Sequence, residues 1–201
     1  MDYRPDDIAD SIDLMIATAS GPEPVCDQVL RDFLLQSYQE LGDRCKQGGL
    51  LQVRSLGRNL PWLFRLTFST RGLVRHADTG DIQEIQSHTI ALRFLPDYLR
   101  VANRFEMLRL IEPARPPIFH PNICPHTGAV CVEIYPGESL LAIVESLHDL
   151  LRWRLRQYDE RDALNKEACA WGREHVNTPI DGRPLFGRSL QIELEVVGET
   201  R

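Results

Sequence analysis

The chain has 201 residues, a formal net charge of -6, 43% hydrophobic residues and 26% charged residues. This length fits one domain with short extensions, and the composition is typical of a globular protein that buries a core. The acidic balance argues against the basic surface of a nucleic-acid-binding protein, and no apolar run is long enough to span a bilayer. We therefore expect neither a nucleic-acid nor a membrane partner.

The cysteines and the N-terminus favour a reducing compartment. Five cysteines are spread along the chain without a Cys-x-x-Cys pair, a pattern more typical of free thiols than of a disulfide framework. The first residues, Met1-Asp-Tyr-Arg-Pro-Asp-Asp, are acidic and lack the apolar stretch of a signal peptide. The sequence thus predicts a cytoplasmic protein whose thiols are available for chemistry.

In chain order, the first predicted elements are helical. Residues 1–22 form an N-terminal extension with a short amphipathic pattern, which ends at the breaker Gly21-Pro22-Glu23-Pro24. Apolar residues at helical spacing then predict a helix from Val25 to Leu41, with Gly42 at its end.

The pattern next changes to alternation, which predicts strands at 50–56, 62–68, 90–94 and 105–111. The polar stretch Thr70–Ser87 predicts a long hairpin loop. A helix followed by four strands is typical of an α+β fold in which an antiparallel meander packs against the helix.

The second half begins with an irregular segment, Glu112–Pro136, that holds six prolines, two cysteines and two histidines. A compact domain rarely keeps so long an irregular segment unless it serves a function. Two helices are predicted after it, the first from Leu140 to Leu151. The second has Asp162 as its N-cap and His175 on its inner face. We place the domain at 23–178 and a C-terminal extension with an edge strand at 179–201.

The irregular segment carries a candidate nucleophile. Phe119-His120-Pro121-Asn122-Ile123 is followed by Gly128-Ala129-Val130-Cys131. A cysteine thiolate suits acyl carriage, because a thioester forms easily and is easily broken by an amine. The Asn122 amide can stabilise an oxyanion if it points at the reacting carbonyl.

These residues, together with Pro116-Pro117-Ile118 before them, resemble the His-Pro-Asn and active-site segment of ubiquitin-conjugating enzymes, and the element order agrees. The resemblance implies a UBC-like fold in which Cys131 carries a modifier as a thioester. It implies that Asn122 is an oxyanion donor or a loop organiser, and that His120 and Pro121 are structural. Asp162 would be the acidic gate that orients or deprotonates a substrate lysine.

The resemblance also implies partners: a ubiquitin-like modifier, an activating enzyme and a protein substrate lysine, with no cofactor and no metal. Three features depart from the family's common form. Cys131 lies nine residues after Asn122, one more than is usual, Tyr135-Pro136-Gly137-Glu138 replaces Trp-Ser-Pro, and Ala163 replaces a proline. These departures are similar to those of bacterial conjugating enzymes from antiphage defence operons.

Other readings of the segment remain open. The chain can be a catalytically inactive UBC-like or RWD-like protein-binding module, although the presence of both Cys131 and Asn122 favours an enzyme. A cysteine hydrolase with His120 or His126 as base lacks an obvious second partner. Zinc binding would use His120, Cys124, His126 and Cys131, whose spacing does not match the usual ligand patterns. Cys124 can also be a redox partner of Cys131 or a bystander.

Overall fold

The structure is a computed structural model that describes residues 27–57, 59–76, 78–113 and 117–187. The predicted helix of the N-terminal extension and the predicted edge strand after residue 189 lie outside the described residues.

The described elements alternate between helices and short strands. The helices are α1 (Gln28–Cys45), α2 (Arg104–Met107), α3 (Leu140–Leu151) and α4 (Lys166–His175). The strands are β1 (Leu51–Ser55), β2 (Leu63–Phe68), β3 (Gly72–Arg75), β4 (Ile82–Ile85), β5 (His88–Arg93) and β6 (Leu108–Glu112).

Four of the strands form one antiparallel sheet in the order β1-β2-β5-β6. Its register places Val53 opposite Leu66 and Leu66 opposite Ile90. Helix α1 packs on this sheet, where the centroid of the Tyr38 ring lies 5.7 Å from that of Phe64 in β2. Helix α3 packs against α1 and adds its apolar face to the same core. The predicted α+β fold, with an N-terminal helix, a four-stranded antiparallel sheet and C-terminal helices, is confirmed.

The prediction of a loop at Thr70–Ser87 is wrong, because β3 and β4 form a two-stranded antiparallel sheet there. The buried side chains of Leu73 and Val74 hold β3 in place. Its outer edge pairs with the irregular segment, where Phe119 N–H donates to the Leu73 carbonyl at 2.8 Å. A partner so distant in sequence leaves no trace in the local pattern.

Three predicted boundaries also need correction. Helix α1 runs through Gly42 to Cys45, because Leu41 and Cys45 still pack against the core. The strand predicted at 105–111 begins only at Leu108, after the helical turn α2, whose N-cap is Asn103. The N-cap of α4 is Asn165 and not Asp162, as described with the site below.

His175 does not belong to the core. Its side chain is exposed and stacks on the ring of Trp171, with centroids 4.5 Å apart. The inner face of α4 is formed instead by Ala168, Cys169 and Gly172. The predicted core position of His175 is therefore wrong, because the helix ends at this residue and its ring folds back along the helix surface.

The start of the sequence-defined C-terminal extension is packed onto the domain. We call residues 180–187 the strap. Leu185 and Phe186 are buried in the main core, and Leu50 N–H donates to the Leu185 carbonyl at 2.8 Å. Asp181 is fully buried and accepts hydrogen bonds from the Arg183 side chain, which lower the pKa of the carboxyl. None of the helices in the described ranges has the length and apolarity that a bilayer crossing requires.

Candidate active site

Cys131 lies on an extended stretch that alternates between core and surface. Val130 and Val132 are buried, whereas Cys131 between them is partly exposed. Successive side chains of an extended chain point to opposite faces. The two valines thus anchor the stretch in the core and turn the thiol away from it.

The Asn122 stretch runs antiparallel to the Cys131 stretch. Cys131 N–H donates to the Asn122 carbonyl at 2.8 Å, and Ile123 forms a bridge with Val130. The turn between them is closed by Gly128 N–H donating to the Cys124 carbonyl at 2.9 Å. The nine-residue spacing is therefore accommodated in this turn, and Asn122 stays opposite Cys131.

Gly128 is required where this turn meets β6. Its φ is +65°, a conformation that glycine adopts without strain. A Cβ at this position would lie 2.4 Å from the Leu110 carbonyl oxygen. The Gly-x-Val-Cys pattern thus has a steric reason, because the turn docks backbone to backbone on the edge strand.

The Asn122 side chain links two backbone segments. Its Nδ2 donates to the Cys131 carbonyl at 2.9 Å, and its Oδ1 accepts from Gln157 N–H at 2.7 Å. One of the two Nδ2 hydrogens is therefore used within the fold. This geometry fits the organising role among the two roles that the sequence leaves open for Asn122.

His120 lies beneath the site and is completely buried. Its Nδ1 accepts from Asn122 N–H at 3.1 Å, and its ring meets Trp153 edge to face with centroids 4.8 Å apart. Burial, with a smaller effect of the neighbouring His88, lowers the pKa of His120 to about 3. A neutral imidazole locked in this way braces the turn and is poorly placed to serve as a solvent-exposed base.

The loop that carries Asp162 is tied to the same turn at both ends. Gln157 N–H bonds to Asn122, as described above, and Asn165 N–H donates to the Pro121 carbonyl at 3.2 Å. Asp162 itself is exposed in a turn, where its N–H donates to the Asp159 carbonyl. The structure thus brings the loop of Asp162 against the His-Pro-Asn turn.

Asp162 does not cap α4. The Asn165 side chain accepts from Ala168 N–H at 3.0 Å and is the N-cap. The prediction of Asp162 as the cap is wrong because the chain between them forms its own turn before the helix begins. Freed from capping, the Asp162 carboxylate stands at the surface.

Sequence reasoning missed two anchoring residues. Asn165 has a readable signal, since asparagine is among the preferred N-cap residues and lies directly before the helix. Gln157 has none, because its bond to Asn122 uses a backbone N–H that any residue except proline supplies. Gln157 also accepts from the Cys169 thiol through its carbonyl, at 3.3 Å, and so connects the loop to α4.

Cys124 and His126 lie in the turn between the Asn122 stretch and the Cys131 stretch. The backbone of Cys124 pairs with Ala129, two positions from the Asn122–Cys131 pair. Both Cys124 and Cys131 are free thiols. Within the described ranges, no three His, Cys, Asp or Glu side chains come together as a metal site would require, so the zinc alternative gains no support.

Comparisons with known proteins find similarity among solved structures. No protein-family model matches the chain, and no curated protein matches it. Among solved structures, the chain is similar to Ubc12 of S. cerevisiae, with a TM-score of 0.47 and 19% sequence identity. The similarity covers 84% of this chain and 83% of that chain.

Proposed function

We propose that this protein is a conjugating enzyme for a ubiquitin-like modifier. Cys131 accepts the modifier from an activating enzyme as a thioester and passes it to a lysine amine. The observation that carries this proposal is the pairing of Asn122 with Cys131, which holds a partly exposed thiol next to an ordered His-Pro-Asn turn.

The chemistry requires few groups. The Cys131 thiolate attacks the thioester carbonyl of the charged activating enzyme, and the thiolate of that enzyme leaves. A lysine amine then attacks the new thioester, loses a proton, and Cys131 leaves as thiolate. No cofactor takes part in these exchanges, because both steps only replace one acyl acceptor by another.

Two side chains serve the second step. Asn122 joins the backbone of Cys131 to that of Gln157, and its remaining Nδ2 hydrogen is available to the developing oxyanion. Asp162, exposed on the adjoining loop, orients the incoming ammonium group and accepts its proton. The buried His120 keeps the turn in place through Asn122 N–H.

We further place the protein among bacterial conjugating enzymes that act in antiphage defence. This narrower assignment depends on the longer turn before Cys131 and on Tyr135-Pro136-Gly137-Glu138 after it. Genes for an activating enzyme and a ubiquitin-like protein next to the gene for this chain would support it. A gene neighbourhood without either would contradict it.

A charging assay tests the central proposal. The protein is incubated with an activating enzyme, its modifier and ATP, and the products are separated with and without reducing agent. We expect a reductant-sensitive adduct that Cys124→Ala retains and Cys131→Ala loses. The Cys124→Ala variant is the matched control, since it removes a free thiol from the turn that leads to Cys131.

The same assay distinguishes residues that act in charging of Cys131 from residues that act in discharge to lysine. Asp162→Asn should charge normally but discharge to free lysine about a hundredfold more slowly, the lower end of the range for loss of a general base. Asp43→Asn, which removes an exposed carboxylate at the far end of α1, should discharge normally. Absence of any adduct with wild-type protein would favour the inactive binding module instead.

A further inference from the structure

The side of the main sheet that points away from α1 carries a row of arginines. The register places Arg54 opposite Arg65, Arg65 opposite Ala91, and Ala91 opposite Arg109. Directly opposite residues share a face of the sheet. Phe64, next to Arg65 in β2, turns its ring to the other face, where α1 packs. We call the side of the arginine row the outer face.

The outer face is basic although the chain as a whole is acidic. The four strands of this sheet, all within the described ranges, contain four arginines, of which Arg93 at the end of β5 is the fourth, and one carboxylate, Glu112. Glu112 pairs with Arg65 at 2.6 Å, whereas Arg93 donates to the neutral carbonyl of Glu106 at 2.7 Å. The outer face therefore has an excess of positive charge.

Arg54 has a charge that the described residues leave without compensation. It is exposed, and it makes neither a hydrogen bond nor an ion pair with any of them. It lies directly opposite Arg65, and like charges in such a pair repel across a sheet. Beside it, Leu56, Leu63 and Ile111 line a cleft of about 170 Å³. A partner that fits this face would combine carboxylates for the arginines with an apolar side chain for the cleft.

The sequence before α1 has this combination. Among residues 1–26, Arg4 is the one arginine or lysine, and six side chains are carboxylates: Asp2, Asp6, Asp7, Asp10, Asp13 and Glu23. Apolar residues recur among these carboxylates at helical spacing, namely Ile8, Ile12, Met15 and Ile16. The segment 6–16 thus offers both the charge and the aliphatic side chains that the outer face would bind.

The chain enters the domain at the end of the sheet where the cleft lies. Asp27, the N-cap of α1, lies next to residues 96–100, which follow β5 and its last residue Arg93. Leu63, which lines the cleft, is opposite Arg93 in the register. About ten residues separate the segment 6–16 from Asp27, and they can span roughly 30 Å when extended. The segment can therefore reach the outer face within the same chain.

We propose that the segment 6–16 docks on the outer face of the sheet. Its carboxylates lie against the arginine row, and one of its aliphatic side chains enters the cleft beside Arg54. An acidic partner of this face would have to displace the segment. The contact does not involve Cys131 and goes beyond the thioester chemistry proposed for it.

Photo-cross-linking in the full chain tests the proposal. Benzoylphenylalanine replaces Ala9, which leaves the carboxylates and the spaced apolar residues unchanged, and mass spectrometry identifies the cross-linked peptides after irradiation. We expect cross-links within one chain to β1, β2 or β5. Arg54→Glu should reduce them about threefold, since one cation becomes a carboxylate. The matched control is Arg154→Glu, which reverses the charge of a side chain that is 62% exposed after α3 and should cross-link as the wild type does.

Three outcomes would overturn the proposal: no cross-link to these strands, a product that joins two chains, or equal loss in both arginine variants. The second would mean that the segment binds another copy, and the third that it responds only to net charge. Irradiation in 1 M NaCl, where the Debye length falls to about 3 Å, measures the charge dependence without a substitution in the sheet. The cross-links should decrease there, and an undiminished yield would contradict docking by the arginine row.

Discussion

Asn122 lies where three backbone segments meet, and its side chain serves two of them at once. The amide nitrogen reaches the carbonyl of Cys131, and the amide oxygen reaches the N–H of Gln157. An oxyanion donor needs only a free N–H, whereas an organiser needs both ends of the amide. The two roles therefore predict different consequences for the stability of the protein.

Replacing Asn122 by alanine separates these roles. Because Gln157 N–H and the Cys131 carbonyl would both lose a partner, Asn122→Ala should lower the free energy of unfolding by about 1–3 kcal/mol. We also expect slow discharge of the thioester to lysine, with charging retained. Urea unfolding and single-turnover discharge measure the two effects.

The control for this substitution is Asn103→Ala, which removes the cap of the short helix α2 away from the site. It should leave the discharge rate unchanged. Slow discharge of Asn122→Ala with undiminished stability would contradict the organising role and leave oxyanion stabilisation as the function of the amide.

At the scale of the elements, two helical glycines occupy opposite situations. Gly42 lies inside α1, and a Cβ built there meets nothing within 4 Å. Gly172 lies inside α4, and a Cβ there would come within 2.4 Å of the ring of Trp153. Trp153 is completely buried and has a positive φ of 67°, so its ring has little room to retreat.

These two glycines therefore make a matched pair of substitutions. Gly42→Ala should raise the free energy of unfolding by about 0.5–1 kcal/mol, because alanine is the better helix former. Gly172→Ala should lower it by about 1–3 kcal/mol through overpacking against Trp153. Chemical denaturation of both variants checks the signs, and a stabilised Gly172→Ala would show that the contact with Trp153 is not limiting.

The elements that the sequence predicts well are those whose burial is local. Large apolar side chains alternate along 62–68 and 90–94 because they enter the main core, and the structure places β2 and β5 there. By contrast, β3 pairs on one edge with the short strand β4 and on the other with the backbone of Phe119, some 45 residues away in the chain. Periodicity reports only which side of a segment is buried, so it could not reveal a strand that depends on such a partner.

The residues of the candidate site differ in the same way. Cys131, Asn122 and His120 can be recognised from the sequence, because their residue types and their order form one specific pattern. The anchor Gln157 is not, because it contributes only a backbone N–H to the turn. Asn165 can be recognised as a helix cap, but its bond to Pro121 uses a backbone N–H and leaves no signal in the sequence. The Asp162 loop could therefore be aligned with the site only through its acidic residue, and its placement as a helix cap was wrong.

For the whole molecule, three histidines are buried in the neutral state. Burial is the main cause that lowers the pKa of His88 to about 4, of His120 to about 3 and of His148 to about 4. His120 faces His88 and Arg156, and His148 faces two ion pairs, Arg152 with Asp149 and Arg183 with Asp181. Protonating any of these imidazoles inside the fold is therefore unfavourable, whereas in the unfolded chain each would titrate near the ordinary histidine pKa of about 6.5.

This difference fixes the sign of the pH dependence. Below pH 6.5 the unfolded chain binds protons at these histidines and the folded chain does not, so stability falls as the pH falls towards 4. Each histidine contributes a loss of about 2 kcal/mol between pH 7 and pH 5, or about 5–6 kcal/mol for all three. A loss of this size is comparable with the total stability of an ordinary domain.

The carboxylates of Asp181 and Glu112 affect stability in a lower pH range than the histidines. Asp181 and Glu112 have lowered pKa values, because the Arg183 side chain and the Thr89 hydroxyl respectively bond to their carboxylates. The stabilisation that they give is full above their unfolded values near 4 and is lost only below them. These two carboxylates therefore contribute little to a loss of stability between pH 7 and pH 5, where the buried histidines act.

Urea unfolding at several pH values from 7 to 5 measures this effect. We expect the free energy of unfolding to fall steadily over that range, and His148→Gln to reduce the dependence by about a third, because one of three titrating groups is removed. Glu112→Gln, which removes a carboxylate that does not act on these histidines, should lower stability at pH 7 but leave the slope between pH 7 and pH 5 unchanged. A flat profile for the wild type would mean that these imidazoles bind protons inside the folded protein, and that the His-Pro-Asn turn tolerates a charged His120.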